Sequence, residues 1–556
     1  MRTDISGWKT RLDDDMVAHF TASGQWKGQT LAGSAALWAN KVPSTPVVID
    51  DVAMLTFSDL YDKGLRLAAA LRSYGVKPGE VISFQLPNWH ETLVINLAAS
   101  LGGFVCNPIV PIYRDAEVGY ILKHSRTRVF FIPRHFRSID YLAMVERLRP
   151  SLPELQTVVV LREDANAGHA GYAAYGDLLA SQQAEDITML AASFPPVDPN
   201  AIKLLLYTSG TTGDPKGVLH SHNTIAAEVA AAPAFWGLGA SDVVLMPSPV
   251  THITGYLYAL EMPVSVGMKV VLMERWQAGD AIDLIERHGC SFTIAATPFL
   301  VELCAEAEKR GVLLPSLRCF ASGGAPVPPE VVRRASTALP ECLIFRVYGS
   351  SEAPTVSLGV RQGDDPDLGA TTDGAIANHD ARIIDQVTGE FAAIGREGEI
   401  VTRGPEMMLG YTKPEYTEES FDARGYFHTG DLGLISADGY ITVTGRKKDL
   451  IIRGGENISP KEIEDLLHEH PSVQEAAVVA MPHPRLGEAP CAYVVLRLAT
   501  SFDIEAMVTF LEHARLARQK FPVRLFLVDS LPRTASGKVL KHVLRDRARR
   551  VVEEDL

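Results

Sequence analysis

The chain is poor in the features by which many metal, redox and phosphotransfer proteins can be read. Among 556 residues there are six cysteines. Cys106, Cys290, Cys304, Cys319, Cys342 and Cys491 form no C-x-x-C pair and no zinc spacing. Several lie in apolar runs, as Cys319 does in RCFAS, so buried reduced thiols are expected. There is no G-x-x-x-x-G-K-[ST] string. The nearest lysine, Lys216, follows Pro215 and precedes Gly217, which argues against a P-loop phosphotransferase. Positive charge is also short: 53 basic residues face 67 acidic ones, a net charge of −14. That balance argues against nucleic acid or an anionic membrane as the main partner, and a small polyanion would have to be met by local basic clusters. The first residues, MRTDISGWKTRLDDDM, are mixed in charge without an apolar core, so no signal peptide and a cytoplasmic location are expected. Thr92 to Tyr113 is uncharged and long. Gly102, Gly103, Pro108 and Pro111 interrupt it, which suits a buried helix and strand better than a membrane span. No internal repeat and no low-complexity tract stands out, apart from a basic run over Lys538–Arg550.

What is present is alternation. Val81–Leu86 reads as a strand, Asn88 as a helix N-cap, Trp89–Leu101 as a helix, Gly102-Gly103 as its stop and Phe104–Cys106 as the next strand. Short apolar strands recur at Val243–Met246, Lys269–Met273, Ser291–Ala296, Arg318–Ser322 and Leu343–Tyr348. Helices are expected between them, over Ala278–His288 and Pro328–Leu339. Such a pattern predicts parallel sheets covered on both faces. From about Asp380 to Val443 short Gly-punctuated segments predict a small antiparallel or barrel-like subdomain. From Gly445 the chain turns charged, and then gives a helix (Pro460–Glu469), strands (Glu475–Ala480, Cys491–Arg497), a helix (Asp503–Arg518) and a tail strand (Arg524–Val528). A chain this long exceeds one hydrophobic core. The expected architecture is α/β: a large N-terminal domain over 1–445, made of parallel α/β sheets plus the barrel-like subdomain, and a smaller mobile α/β domain over 446–556.

The most telling stretch is Tyr207-Thr-Ser-Gly-Thr-Thr-Gly-Asp-Pro-Lys-Gly217. A strand running into a Gly-rich, hydroxyl-rich loop bares backbone N–H groups for phosphate oxygens. Thr208, Ser209, Thr211 and Thr212 add donors, Gly210 and Gly213 allow close approach, and Lys216 adds a mobile cation. Alone it is also an ordinary polar turn. Five further segments follow: Ser322-Gly-Gly-Ala-Pro326, Tyr348-Gly-Ser-Ser-Glu352, Tyr426-Phe-His-Thr-Gly-Asp431, Gly445-Arg-Lys-Lys-Asp449 with Gly454-Gly455, and Pro532-Arg-Thr-Ala-Ser-Gly-Lys538. Taken singly, each passes for a turn, a linker or a solvated lysine.

In this order and spacing, the six segments resemble the signatures of the adenylate-forming superfamily, which includes acyl-CoA synthetases, aryl-CoA ligases, carrier-protein adenylation domains and luciferases. The resemblance spans essentially the whole chain. It implies an acid–thiol ligase that uses ATP, Mg²⁺ and coenzyme A on a small carboxylic acid. Thr208, Ser209, Gly210, Thr211, Thr212, Gly213 and Lys216 would hold phosphate. Gly324, Ala325 and Pro326 would line adenine, with Tyr348, Gly349, Ser350 and Ser351 completing the nucleotide site. Glu352 would hold Mg²⁺, and Asp431 and Arg446 the ribose. Lys538 would bridge the carboxylate and α-phosphate, so Lys538, Glu352 and Lys216 are the implied catalytic set. Lys448 matches the hinge, and Gly454 and Gly455 the pantetheine face. The segment around His252, with Ile253 and Tyr256, matches the acyl pocket. Ala321, Gly323 and Ala353 leave room there for a cyclic, aryl or medium-chain acid. An enzyme that loads a carrier protein in trans is the alternative acceptor reading, and a non-catalytic nucleotide sensor is the reading from another class. Oligomeric state is left open.

Overall fold

The computed structural model describes residues 1–162, 171–182, 186–208, 214–534 and 537–554. Two sheets form the bulk of it. The first has eight strands in the order Tyr172–Ala174, Thr157–Leu161, Val129–Pro133, Val81–Phe84, Val105–Pro108, Ile202–Thr208, Lys216–Ser221, Gly410–Tyr411. It is parallel as far as Ile202–Thr208. Lys216–Ser221 then doubles back as a hairpin, and Gly410–Tyr411 caps its outer edge. The second sheet runs Leu343–Arg346, Cys319–Ser322, Phe292–Ala295, Val243–Met246, Lys269–Leu272, Pro46–Ile49, Met54–Thr56, parallel except for the last pair. The central strands are apolar and buried along nearly their whole length, as sheets covered on both faces require. Helix His90–Gly102 is buried on every side and packs against Phe57–Ser73, where a β-carbon on Gly64 would stand 2.8 Å from Leu97 Cδ2. Only glycine permits that approach.

Two expectations fail locally. Asn88 does not cap the helix; Trp89 occupies that position without a side-chain cap. The Asn88 amide instead donates to the carbonyls of Met246 and Ser248 and accepts from Val250 N–H, tying the first sheet to the second. The helix expected over Asp503–Arg518 ends at His513, and Arg515 adopts a left-handed backbone (φ 58°).

In the region expected to be antiparallel or barrel-like, Asp380–Ile384, Gly398–Arg403, Phe427–Ile435 and Ile441–Arg446 form a four-stranded antiparallel sheet. Beyond it, the long pair Val473–His483 and Gly487–Leu496 carries the hairpin Ile451–Arg453/Glu456–Ile458 and strand Arg524–Leu527. Separate apolar clusters cover its two faces, one centred on Ile463, Val478 and Leu511, the other on Val479, Tyr493 and Leu544. This part meets the rest of the chain at defined points. Ser459 Oγ donates to the Thr444 carbonyl (2.6 Å), and Gly537 lies flat on Ala296 and Pro298. All six cysteines are buried and free. Among the described residues, no helix is long and apolar enough to cross a membrane.

Candidate active site

The site assembles where the hairpin, the ends of the second sheet and the antiparallel subdomain meet. Thr208 and Lys216 face each other across the hairpin; Ser209, Gly210, Thr211, Thr212 and Gly213 lie outside the described residues. At the entry to the turn, Tyr207 OH and His124 Nδ1 are 2.7 Å apart. At its exit, the Lys216 ammonium lies over the rings of Tyr416 (4.4 Å) and Tyr411 (5.2 Å).

The segment after strand Leu343–Arg346 is held by its own turn. Ser350 N–H donates to the Ala353 carbonyl (2.8 Å), and Glu352 and Ala353 N–H donate to Ser350 Oγ. A β-carbon on Gly349 would lie 1.8 Å from the Pro354 carbonyl oxygen, so the turn demands glycine. His220 Nε2–H donates to the Ser351 carbonyl (2.7 Å). Burial pushes that imidazole down to about 4, so it is a neutral donor. Tyr348 OH donates to Asp431 Oδ2 (2.8 Å), and Arg446 Nε donates to Asp431 Oδ1 (2.6 Å). Burial opposes the Arg446 charge, but the Asp431 carboxylate outweighs it and the guanidinium ends above its usual range. The three residues form one fixed unit with a carboxylate at its centre, suited to a vicinal diol. Close by, a β-carbon on Gly323 would meet the Val347 carbonyl at 2.7 Å, Gly324 has φ 77°, and Ala325 and Pro326 follow at the surface.

Lys538, on the C-terminal hairpin, lies within the electrostatic range of this unit. Thr534 and Lys538 close that hairpin with backbone and hydroxyl bonds. Burial, then the positive charge of Arg446, pushes the Lys538 amine down to about 8, with Asp431, Asp449 and Lys448 also in its field. Lys538 in turn adds to the burial that depresses His252 to about 4. Lys538, Arg446, Asp431, Tyr348 and His252 are therefore one neighbourhood. Gly454 and Gly455 are elsewhere: both are exposed, at the tip of the Ile451–Ile458 hairpin, with φ of 60° and 92°. Lys448 occupies the single turn Lys447–Asp449 between the subdomain and that hairpin, and its carbonyl accepts from Arg545.

Glu352 Oε1 accepts from Tyr411 OH (2.8 Å), and Oε2 has no partner among the described residues. Mg²⁺ takes one or two carboxylates and completes its shell with phosphate and water, so a carboxylate with one oxygen unclaimed among the described residues fits it.

The acyl-pocket candidates divide. His252 caps the short helix Ile253–Gly255, and its ring has no hydrogen-bond partner among the described residues. Tyr256 is fully buried, and its hydroxyl donates to Asn96 in a core network with Glu261 and Lys203. Ala321 lies in the main core. Ala353 is 1% exposed and packs with Val218, Val356, Met407, Met408, Tyr411 and Phe427, a cluster that contains none of the other pocket candidates. This burial does not bring Ala353 to the other pocket candidates, and chain adjacency to Glu352 does not fix the direction of its side chain.

The sequence reading missed Tyr411, Tyr416 and His124, each far along the chain from the group it touches. It also missed Glu228, buried beside Tyr258 and Thr355, which both donate to its Oε1. Burial, then the charge of Glu406, raises Glu228 to about 8. The only local signal was Gly410-Tyr411, a glycine (φ 133°) ahead of an aromatic in an apolar run.

Residues 36–412 match the family model for AMP-binding enzyme, and residues 462–538 the model for the AMP-binding enzyme C-terminal domain. The chain is 35% identical over 549 residues to the medium-chain fatty-acid–CoA ligase of Escherichia coli K12, covering 98% of this chain and 95% of that protein. It is 30% identical over 554 residues to the vibriobactin-specific 2,3-dihydroxybenzoate-AMP ligase of Vibrio cholerae, covering 98% of each. The fold matches the anthranilate CoA ligase AuaEII in complex with anthranoyl-AMP (TM-score 0.84, 23% identity, 94% of this chain and 98% of that one). It also matches ATP-bound MatB from Rhodopseudomonas palustris (TM-score 0.79, 25% identity, 94% and 100%).

Proposed function

Because this chain belongs to the AMP-binding enzyme family, we infer its chemistry from that premise and from the residues gathered at the site. It is an AMP-forming acyl-CoA synthetase: it joins a carboxylic acid to coenzyme A at the expense of ATP, through an acyl adenylate. The acid itself is our proposal, namely a medium-chain, cyclic or aryl carboxylic acid. It is supported by the whole-length similarity to ligases named for a medium-chain fatty acid and for a dihydroxybenzoate.

The observation that best supports the assigned roles is the convergence of Lys538 with Arg446, Asp431 and His252. A carboxylate is a poor acyl donor because its leaving group is oxide. Attack of its oxygen on the α-phosphorus of ATP expels pyrophosphate and leaves an acyl carbon bearing AMP, a good leaving group. The barrier is mainly charge repulsion and alignment, so the protein's task is positive charge in the right place. Lys538 supplies one ammonium for the carboxylate and α-phosphate, and Lys216 another for the outer phosphates. The Tyr348–Asp431–Arg446 unit anchors the ribose. Mg²⁺, held by Glu352, would neutralise phosphate charge. In the second step the thiol sulfur attacks the acyl carbon, forms the thioester and expels AMP. For that step the domain beyond Lys448 rotates, so that Lys538 withdraws and the Gly454-Gly455 tip approaches. No protein nucleophile takes part.

A panel of acids from acetate to dodecanoate, with benzoate and cyclohexanecarboxylate, tests the substrate class in the presence of ATP, Mg²⁺ and CoA. AMP and thioester formation should peak at medium-chain or ring acids. A peak at acetate would overturn the size assignment. Adenylate formation without thioester from free CoA would favour a carrier-protein acceptor.

A further inference from the structure

Lys216 and Glu352 carry opposite charges in the same site, yet no ion pair joins them; Tyr411 contacts both. Its hydroxyl donates to Glu352 Oε1 at 2.8 Å, and its ring lies 5.2 Å from the Lys216 ammonium, which the Tyr416 ring approaches to 4.4 Å. Neither partner neutralises the group it holds. A phenol orients a carboxylate without cancelling its charge, and an aromatic face holds an ammonium without a counter-anion. Among the described residues, Lys216 has no carboxylate partner and Glu352 no cationic one.

The placement of Tyr411 is itself over-determined. Gly410–Tyr411 pairs with Val218–Leu219 on the phosphate hairpin, and Thr412 N–H donates to the Gly217 carbonyl. Met408 N–H donates to the Glu352 carbonyl (2.8 Å), and Tyr411 N–H donates to Thr417 Oγ1 (2.8 Å). The residue is 4% exposed. One short strand is thus stitched to both the lysine-bearing and the glutamate-bearing segments.

We propose that Tyr411 is a positioning residue for the metal and phosphate groups of the site: it separates Lys216 from Glu352, leaves the second Glu352 oxygen for the cation, and keeps both charges available to the substrate. The proposal rests on the reading that Glu352 holds the divalent cation. Without the ring between them, the two side chains can pair with each other and be lost to the nucleotide.

The test is direct binding, with no turnover required. Mn²⁺ is titrated by electron paramagnetic resonance into the full-length protein with α,β-methylene-ATP, and nucleotide affinity is measured separately without metal. Tyr411→Phe keeps the ring and removes the hydroxyl. Mn²⁺ should then bind about tenfold more weakly, the scale expected for a partner that orients a metal ligand, with metal-free nucleotide affinity unchanged. Tyr411→Leu should weaken both. Glu352→Gln separates the two levels of the argument. If it weakens Mn²⁺ binding while Tyr411→Phe leaves it at the wild-type value, Tyr411 has no positioning role although Glu352 holds the metal. If Glu352→Gln itself leaves Mn²⁺ binding intact, the metal assignment falls and the proposal falls with it. A loss of melting temperature in Tyr411→Phe without a change in Mn²⁺ affinity marks a packing residue only and also overturns the proposal.

Discussion

His252, near the middle of the chain, feels the charge of Lys538, near its end: burial, with the lysine's charge added, holds the imidazole down at about 4. The imidazole is therefore neutral above about 4, and the lysine, pushed down to about 8, is the group in this pair that titrates near neutrality.

Lys538→Ala should cost adenylation about 2–4 kcal/mol of transition-state stabilisation, the scale of removing one preorganised charge. Thioester formation from preformed acyl adenylate should be spared. The wild-type amine is charged below about 8, so kcat/KM for ATP in the adenylation half-reaction should fall as pH rises through that value. Lys538→Arg should move the fall to higher pH. Equal losses in both half-reactions, or a pH profile identical in Lys538→Arg, would contradict the assigned role.

Lys448→Pro should act in the reverse sense. Proline fixes φ near about −65° and blocks rotation at that residue. Adenylate formation, followed by pyrophosphate release, should remain close to wild type while transfer to CoA slows. Unaltered steady-state thioester formation would remove Lys448 as the hinge.

Glu228 gives the fold a pH dependence with a definite sign. Burial, then Glu406, raises its carboxyl to about 8 from an ordinary 4.5. The folded state thus holds a proton that the unfolded chain has released between those values. Stability from this group is complete below about 4.5 and is lost as pH rises through about 8, by up to about 1.4 kcal/mol per pH unit within the window. Glu228→Gln mimics the protonated form and should flatten the denaturant midpoint between pH 5 and 8. The same slope in wild type and variant would mean that Glu228 is ionised in the fold.

Ala353→Trp should lower the melting temperature without reordering the acid preference. The side chain is enclosed by Val218, Met407, Met408 and Phe427, and overfilling such a cluster costs about 1–3 kcal/mol. Specificity constants for hexanoate, benzoate and cyclohexanecarboxylate, measured beside the thermal transition, decide it. A changed ranking in a fully stable variant would return Ala353 to the acyl pocket.

What could be read from the sequence follows from where the information sits. The central strands were legible because sheets covered on both faces need unbroken apolar runs, and Ala278–His288 forms the expected helix, its buried residues on one side. The antiparallel subdomain announced itself by glycine spacing. Asn88 misled because its amide is claimed by three backbone groups of a distant segment. The early end of the helix at His513 depends on a left-handed arginine, a conformation its residue type does not signal. Motif order singled out Lys538, Asp431 and Arg446, whose backbone settings are local. It could not single out Tyr411, which meets Lys216 and Glu352 only after its strand docks on Lys216–Ser221.

That docking strand also sets a timetable. Ile202–Ser221 is made early in synthesis, but its outer edge stays open until residues 410–411 arrive to close it. An open β-edge invites pairing with other chains. A ribosome-bound or truncated chain that stops short of residue 410 would carry this hairpin as a sticky border. The nucleotide site would then be among the last parts of the large domain to mature, and nonsense fragments should be recovered in aggregates rather than as nucleotide-binding stubs.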